Sequence, residues 1–345
     1  MTRDGQAFLA FAKHDELLAI GPDPGMKLVK VEAKPRYGSY YLHITYEDGL
    51  TRPEVPKHPV RILGIDPGLD NFAAVTNNIG LEPFIIDGKE RGSMNQWFNK
   101  AKAEAVSKLT AGHDPKDRSV RRASRRTMRL SERRDNRIRD WFFRIGHYIM
   151  RYAKAHRAEV IVIGHNQGQK QGIAIGKRNN QNFVGIPYGR FISTMEFLSR
   201  VYGVPVVMRE ESYTSKASLL DADPIPVYGD GDGQFSFSGQ RIRRGLYRSG
   251  KGTLINADIN GAGNIIRKEY PYAFQGQDLA YLARTVRRIT LREILGVAKK
   301  QPDRNKRGFN RKSKASKTRG HAKRKQRMEA MAAKMNAAAQ GNTAA

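Results

Sequence analysis

The sequence predicts an α/β protein built on one mixed sheet flanked by helices, with a small N-terminal β module and a basic helical insertion. Two observations support the sheet. "RILGID", "NFAAVTNN" and "LEPFIID", between residues 61 and 88, are short runs of strand character, and the first is apolar enough to be central. "VIVIG" at 160–164 and "VPVVM" at 204–208 follow helical stretches. Strands that alternate with helices assemble into a layered α/β sheet.

Residues 1–57 alternate apolar runs ("LLAIG", "MKLVKVEA", "GSYYLHITYEDG") with turn residues, the pattern of half-buried strands. They read as a partial β-barrel, a wedge-like module. A domain over 58–270 follows, carrying the helical insertion at 93–157. Within it Met128, Ile138, Trp141, Phe142, Ile145, Ile149 and Tyr152 recur at three- and four-residue steps among arginines, so one face packs. The opposite face could be merely solvated, as most charge runs are, but acids are nearly absent beside the arginines of 118–134, which favours a phosphate-facing surface. "NNQNFVGIPYGRFISTMEFLSRVYG" is a loop and then a helix. Residues 214–252, rich in Gly, Asp and Arg, read as an inserted loop or hairpin. "INADINGAGNIIRKEY" is a short helix, 271–299 is expected to be a C-terminal helix, and 300–345 a basic tail that is disordered until it meets nucleic acid.

The 345 residues carry a net charge of +29 with 39% hydrophobic residues, enough for a core. Such self-repulsion is best tolerated when a polyanion neutralises it, so nucleic acid is the first partner to consider. A ribosomal-type or merely adhesive basic protein leaves the same footprint. Cysteine is absent, which excludes disulfides, thiolate catalysis and cysteine-ligated zinc. No apolar run is long enough for a membrane helix, and the acid-bearing "MTRDGQAFLAFAKHDELL" lacks a signal-peptide core. The expectation is a soluble, cytoplasmic protein associated with nucleic acid and without a membrane partner.

Two aspartates stand where chemistry is plausible. Asp66 ends an apolar strand before Pro-Gly, and Asp258 lies near the start of a helix. Singly they are weak signals: a turn aspartate is common, sugar-kinase-like and actin-like ATPases use a similar stretch, and Asp258 could be a helix N-cap. No second glycine-rich phosphate loop supports the ATPase alternative. Together, on an alternating frame, they point to a ribonuclease-H-like sheet, whose chemistry is phosphodiester hydrolysis on two Mg²⁺ ions held by converging carboxylates. Such a site wants a third acid where "VIVIG" ends, and there the chain has Gly164 and His165.

"GIDPGLDNFAAV", "YTSKASLLDADPIPVY", "FSGQRIRRGLY" and "INADINGAGNIIRK" resemble, in order and over about 61–268, the OrfB/TnpB family of transposon-encoded RNA-guided nucleases, relatives of type V CRISPR effectors. The resemblance implies a RuvC-type domain, a Mg²⁺-dependent acid triad, and a guide RNA that selects target DNA. Asp66 matches the family's first acid and Asp258 its last. Three departures accompany it: Gly164 replaces the usual glutamate, "YTSKAS" has serine where a zinc-ribbon cysteine would stand, and the N-terminal module is short.

The missing acid has a candidate replacement in "REESYTSK". The strand "VPVVMRE" should lie beside "VIVIG" and end on the same edge, so a glutamate can reach across the interstrand spacing of about 4.8 Å. Alternation lets only one of Glu210 and Glu211 point inward; Glu211 is favoured, with Glu210 the alternative. The expected triad and metal set is therefore Asp66, Glu211 and Asp258, with no zinc. Lys177 and Arg178 are candidate nucleic-acid contacts, as are Lys216, Arg241, Arg243 and Arg244. Tyr213 either stacks on a base or packs internally, and a histidine at a strand end such as His165 is more often only hydrogen-bonded. The competing function is a guided or nonspecific DNA-binding protein without cleavage, a transposon-derived repressor.

Overall fold

The structure, a computed structural model, describes residues 27–297 except 69, 115–116, 118–122, 166–186, 228 and 230–234, together with the backbone of three strands nearer the N-terminus. Those strands are β1 (Thr2–Arg3), β2 (Gln6–Phe11) and β3 (His14–Ile20), one antiparallel ladder. A second ladder pairs β4 (Lys27–Arg36) with β5 (Ser39–Glu47) across a two-residue turn. Tyr37 and Gly38 both have positive φ (54° and 75°) there, the backbone that a tight hairpin of this hand requires. Among the described residues, no ladder hydrogen bonds join the two pieces.

The central sheet has six strands. β6 (Ile62–Pro67), β7 (Asn71–Asn77) and β8 (Phe84–Asp87) form an antiparallel meander. β9 (Val160–Gly164) lies parallel to β6, and β10 (Val206–Arg209) parallel to β9. The strand order β10-β9-β6-β7-β8 makes the sheet ribonuclease-H-like, as the alternating pattern predicted.

Residues 93–157 form two helices, α1 (Lys89–Leu109) and α2 (Arg125–Ala155). Ser124 and Thr127 cap α2 reciprocally, side chain to backbone, which fixes where it starts. The packing face that the periodicity predicted is the one buried here: Ile138, Trp141, Phe142, Ile145 and Ile149 of α2 are fully buried in the main core. Phe191, Met195 and Leu198 of α3 (Tyr188–Tyr202) complete that layer. The opposite face is covered by α4 (Ala257–Glu269).

Strand alternation sorts the residues between these layers. Leu63, Ile65, Ile161 and Ile163 join the α2–α3 core, whereas Ile62, Val160 and Val162 join the α4 core. The same parity turns Gly64, Asp66 and Gly164 toward α4. Glycine is needed at both strand positions because α4 lies directly on the sheet. A Cβ at Gly64 would stand 2.5 Å from the Ala262 carbonyl oxygen, and one at Gly164 2.5 Å from Ile265 Cδ1.

Within the inserted segment, β11 (Gln240–Arg243) and β12 (Leu246–Arg248) form the hairpin that the sequence suggested, and β13 (Leu254–Asn256) adds a third strand leading into α4. The C-terminal helix expected at 271–299 is not formed. Residues 280–283 make a 3-10 turn, β14 (Arg287–Ile289) pairs with β8 in parallel, and α5 spans only Leu291–Ile294. Pro271 and Gly276 interrupt any longer helix, and Ile289, alternating with Arg288, buries itself at the sheet edge. The tail at 300–345 lies outside the described residues. No helix among them is long and apolar enough to cross a membrane.

Candidate active site

β6 and β9 end together, and β10 ends beside β9 with Arg209 opposite Gly164. Asp66 sits at the end of β6, on the side that faces α4. Gly261 of α4 presses so closely on it that a Cβ there would lie 2.7 Å from Asp66 Oδ2. Asp258 occupies the first turn of α4, but it is not the cap. Asn256 takes that role, accepting from the backbone N–H of Asp258 at 3.0 Å and of Ile259 at 3.3 Å. The Asp258 carboxylate is thereby left for other partners. Asn71 Nδ2 donates to its Oδ2 at 2.5 Å, and Arg241 Nη2 lies 3.4 Å from its Oδ1. Arg288 Nη1 in turn donates to Asn71 Oδ1 at 2.6 Å.

Glu211 and Glu210 diverge. The Oε2 of Glu211 lies 2.6 Å from the point where a Cβ at residue 164 would stand. Glu210 turns instead to Lys268 of α4, pairing through Oε2 at 2.5 Å, and its Oε1 accepts from Ser212 N at 2.6 Å. Burial pushes the Glu210 carboxyl up, but the Lys268 and Ser212 hydrogen bonds outweigh it and hold it below its ordinary value.

Asp66 behaves in the opposite way. Part of the residue is open to the cleft, yet burial of its carboxyl raises its pKa well above the ordinary value. The negative charges of Glu211 and Asp258 raise it further, and Arg241 offsets only part of this. Asp66 therefore feels the charge of both other acids. Among the described residues, no three Asp, Glu or His side chains are grouped closely enough to hold a metal ion as they stand.

A cleft of about 820 Å³ opens over Asp66 and Asp258, with Lys89, Arg241, Arg244 and Arg288 around it. Arg244 pairs with exposed Asp70, and Arg243 is exposed on β11. Lys216 lies with its ammonium 5.7 Å from the centre of the Tyr213 ring. Tyr213 is half-buried and lies edge-on to the exposed Phe235 at 5.2 Å. His165 donates its backbone N–H to the Arg209 carbonyl at 2.8 Å. Lys177 and Arg178 lie outside the described residues. Sequence reasoning passed over Asn71, Lys89, Lys268 and Arg288. Asn71 sits inside "GIDPGLDNFAAV", five residues after Asp66, and that adjacency was the only available signal.

Residues 43–169 match the OrfB_IS605 family, described as a probable transposase. The OrfB/TnpB resemblance stands on that match. No curated protein matches the chain. Among solved structures it is similar to a Cas12f1–sgRNA–target DNA complex (TM-score 0.43, 16% identity, covering 68% of this chain and 55% of that one). A CRISPR-Cas12f ternary complex (TM-score 0.43, 15% identity, 68% and 44%) and the mini-RNA-guided endonuclease CRISPR-Cas_phi3 (TM-score 0.34, 14% identity, 65% and 46%) are also similar. The chain spans about half the length of these proteins.

Proposed function

We propose that the chain is a RuvC-type endonuclease that cuts DNA selected by a guide RNA, with Asp66, Glu211 and Asp258 as its acids. The observation that carries this reading is the position of Glu211. Its carboxylate fills the space beside the end of β9 that a side chain at 164 would need, and its charge is felt by Asp66. The acid absent from β9 has been supplied from the next strand over.

The donor set fits Mg²⁺. All three side chains offer hard oxygens, and the repulsion that lifts the Asp66 pKa is what a cation relieves. When bound, Mg²⁺ supplies Lewis acidity, making water a better nucleophile and neutralising charge on the leaving oxygen. The protein's own part is positional. Asp66 and Asp258 form a negative floor to which Glu211 adds its charge from beside Gly164, and Lys89, Arg241, Arg244 and Arg288 draw phosphates over it. Water attacks the phosphodiester, leaving a 5′-phosphate and a 3′-hydroxyl. The β module at 1–57, the basic helices of 93–157 and the segment 214–252 hold guide RNA and target DNA.

A second reading, guided DNA binding without cleavage, is favoured by one observation: Asp258 is already engaged by Asn71 and Arg241. A cleavage assay on protein carrying its co-purified RNA separates the two. Loss of cutting in Asp66→Ala and in Glu211→Gln supports the nuclease. RNA-dependent retention of DNA that no variant or divalent ion converts into cleavage supports the binder.

A further inference from the structure

We infer that Lys268 is a positioning residue for Glu211, a buried ammonium on α4 that anchors the residues on either side of it. The inference rests on the proposed role of Glu211. The Lys268 side chain is only 3% exposed. Its Nζ donates to Glu210 Oε2 at 2.5 Å and to the Ser212 carbonyl at 2.9 Å. One step earlier, Arg209 Nη1 lies 3.4 Å from Glu269 Oε2. Residues 209, 210 and 212 are thus all tied to the last turn of α4, and Glu211 lies between the anchors.

The need for such a clamp follows from where the acid comes from. An acid at the end of β9 would be held by the ladder itself. Glu211 lies beyond the last residue of β10, Arg209, where Thr214 holds its carbonyl through the backbone N–H at 3.2 Å and the hydroxyl at 2.8 Å, but no strand partner fixes the residues on either side of it. A carboxylate must stand within a few tenths of an ångström of its working position to serve as a ligand. Lys268 provides that order by holding one neighbour through its side chain and the other through its backbone carbonyl. Burying an ammonium is unfavourable unless it is paired, and both of its bonds go to the residues that flank Glu211. Gly164 supplies the complementary half, since any side chain there would take the volume the Glu211 carboxylate occupies.

The test measures Mn²⁺ affinity of the full chain by the loss of the free-ion electron paramagnetic resonance signal, after nuclease treatment and high-salt purification, alongside thermal melts. The variants are Glu211→Gln, Lys268→Met and the double variant Lys268→Met with Glu210→Met. Lys268→Met should weaken Mn²⁺ binding by about tenfold or more, the usual range for loss of a group that orients a metal ligand. It should also lower the melting temperature, because Glu210 loses its partner. The double variant replaces the ion pair by apolar groups, which restores most of the stability, but Ser212 still lacks its donor, so Mn²⁺ affinity should stay low. That split between restored stability and unrestored affinity is what a merely structural lysine would not produce. Wild-type affinity in the double variant, with affinity lost in Glu211→Gln, overturns the role of Lys268 and leaves the nuclease reading standing. Unchanged affinity in Glu211→Gln overturns the reading itself, and the inference with it.

Discussion

Gly164 and Glu211 claim the same volume: a β-carbon on residue 164 would stand 2.6 Å from Glu211 Oε2. That distance is far inside van der Waals contact, so any side chain at 164 and the present position of Glu211 exclude each other.

Gly164→Ala should therefore destabilise the protein by about 1–3 kcal/mol, the usual cost of overpacking. Part of the strain comes from Ile265 and part from Glu211. Removing the second source with Glu211→Ala should make the alanine at 164 better tolerated, with a coupling of about 0.5–3 kcal/mol in a double-mutant cycle. Urea denaturation of the four proteins measures it. Strict additivity would mean that the two residues do not meet.

Asp66 makes stability depend on pH in a definite direction. Its folded-state pKa stands well above the unfolded value of about 3.9. Proton binding thus favours the fold, a contribution fully present below the unfolded value and lost as pH rises through the folded one. Asp66→Asn carries no such loss, so in EDTA its melting temperature should gain on the wild type over the range above about pH 4. Mg²⁺ should then stabilise the wild type more than the variant. A constant difference across that range would remove burial and mutual repulsion as the cause.

Arg241 links the cleft rim to its floor through Asp258. Arg241→Gln should weaken DNA binding on every sequence tested and reduce the slope of log affinity against log salt by about one unit, as for a single phosphate contact. Filter binding over a salt series reads both. An unaltered slope would assign Arg241 to Asp258 alone.

Phe72 ties the Asp66 edge of the sheet to the core. Its ring stands 4.4 Å from that of Trp141 and 4.8 Å from that of Phe191, and it stacks parallel to Tyr188 at 6.3 Å. The Tyr188 hydroxyl donates to the Gly68 carbonyl at 2.6 Å, two residues beyond Asp66. Phe72→Ala should cost about 3–5 kcal/mol, read by chemical denaturation. The turn at 66–71 should lose hydrogen-exchange protection more than α1 does.

The apolar runs that became β6, β7, β8, β9 and β10 were legible because a buried strand must repeat its chemistry locally, and the periodic apolar face of α2 was legible for the same reason. The 271–299 segment was misread, since a short parallel edge strand such as Arg287–Ile289 owes its form to β8, which lies some 200 residues earlier in the chain. Asp66 and Asp258 could be named from their places at a strand end and a helix start. Strand alternation favoured Glu211 over Glu210, but the contact that holds Glu210 aside, Lys268 across 58 residues, has no mark in the local sequence. The Arg288–Asn71 bond spans 217 residues, and nothing in the local pattern of either partner announces it. By itself, then, the sequence determined the sheet, its helical layers, the two aspartates and the strongly positive character of the chain, all set by local periodicity and composition. Only the tertiary structure decided how α4 presses on two glycines, which side chains surround the acids and what holds Glu210 aside. Those outcomes depend on packing between segments whose separation leaves no mark on their own residues.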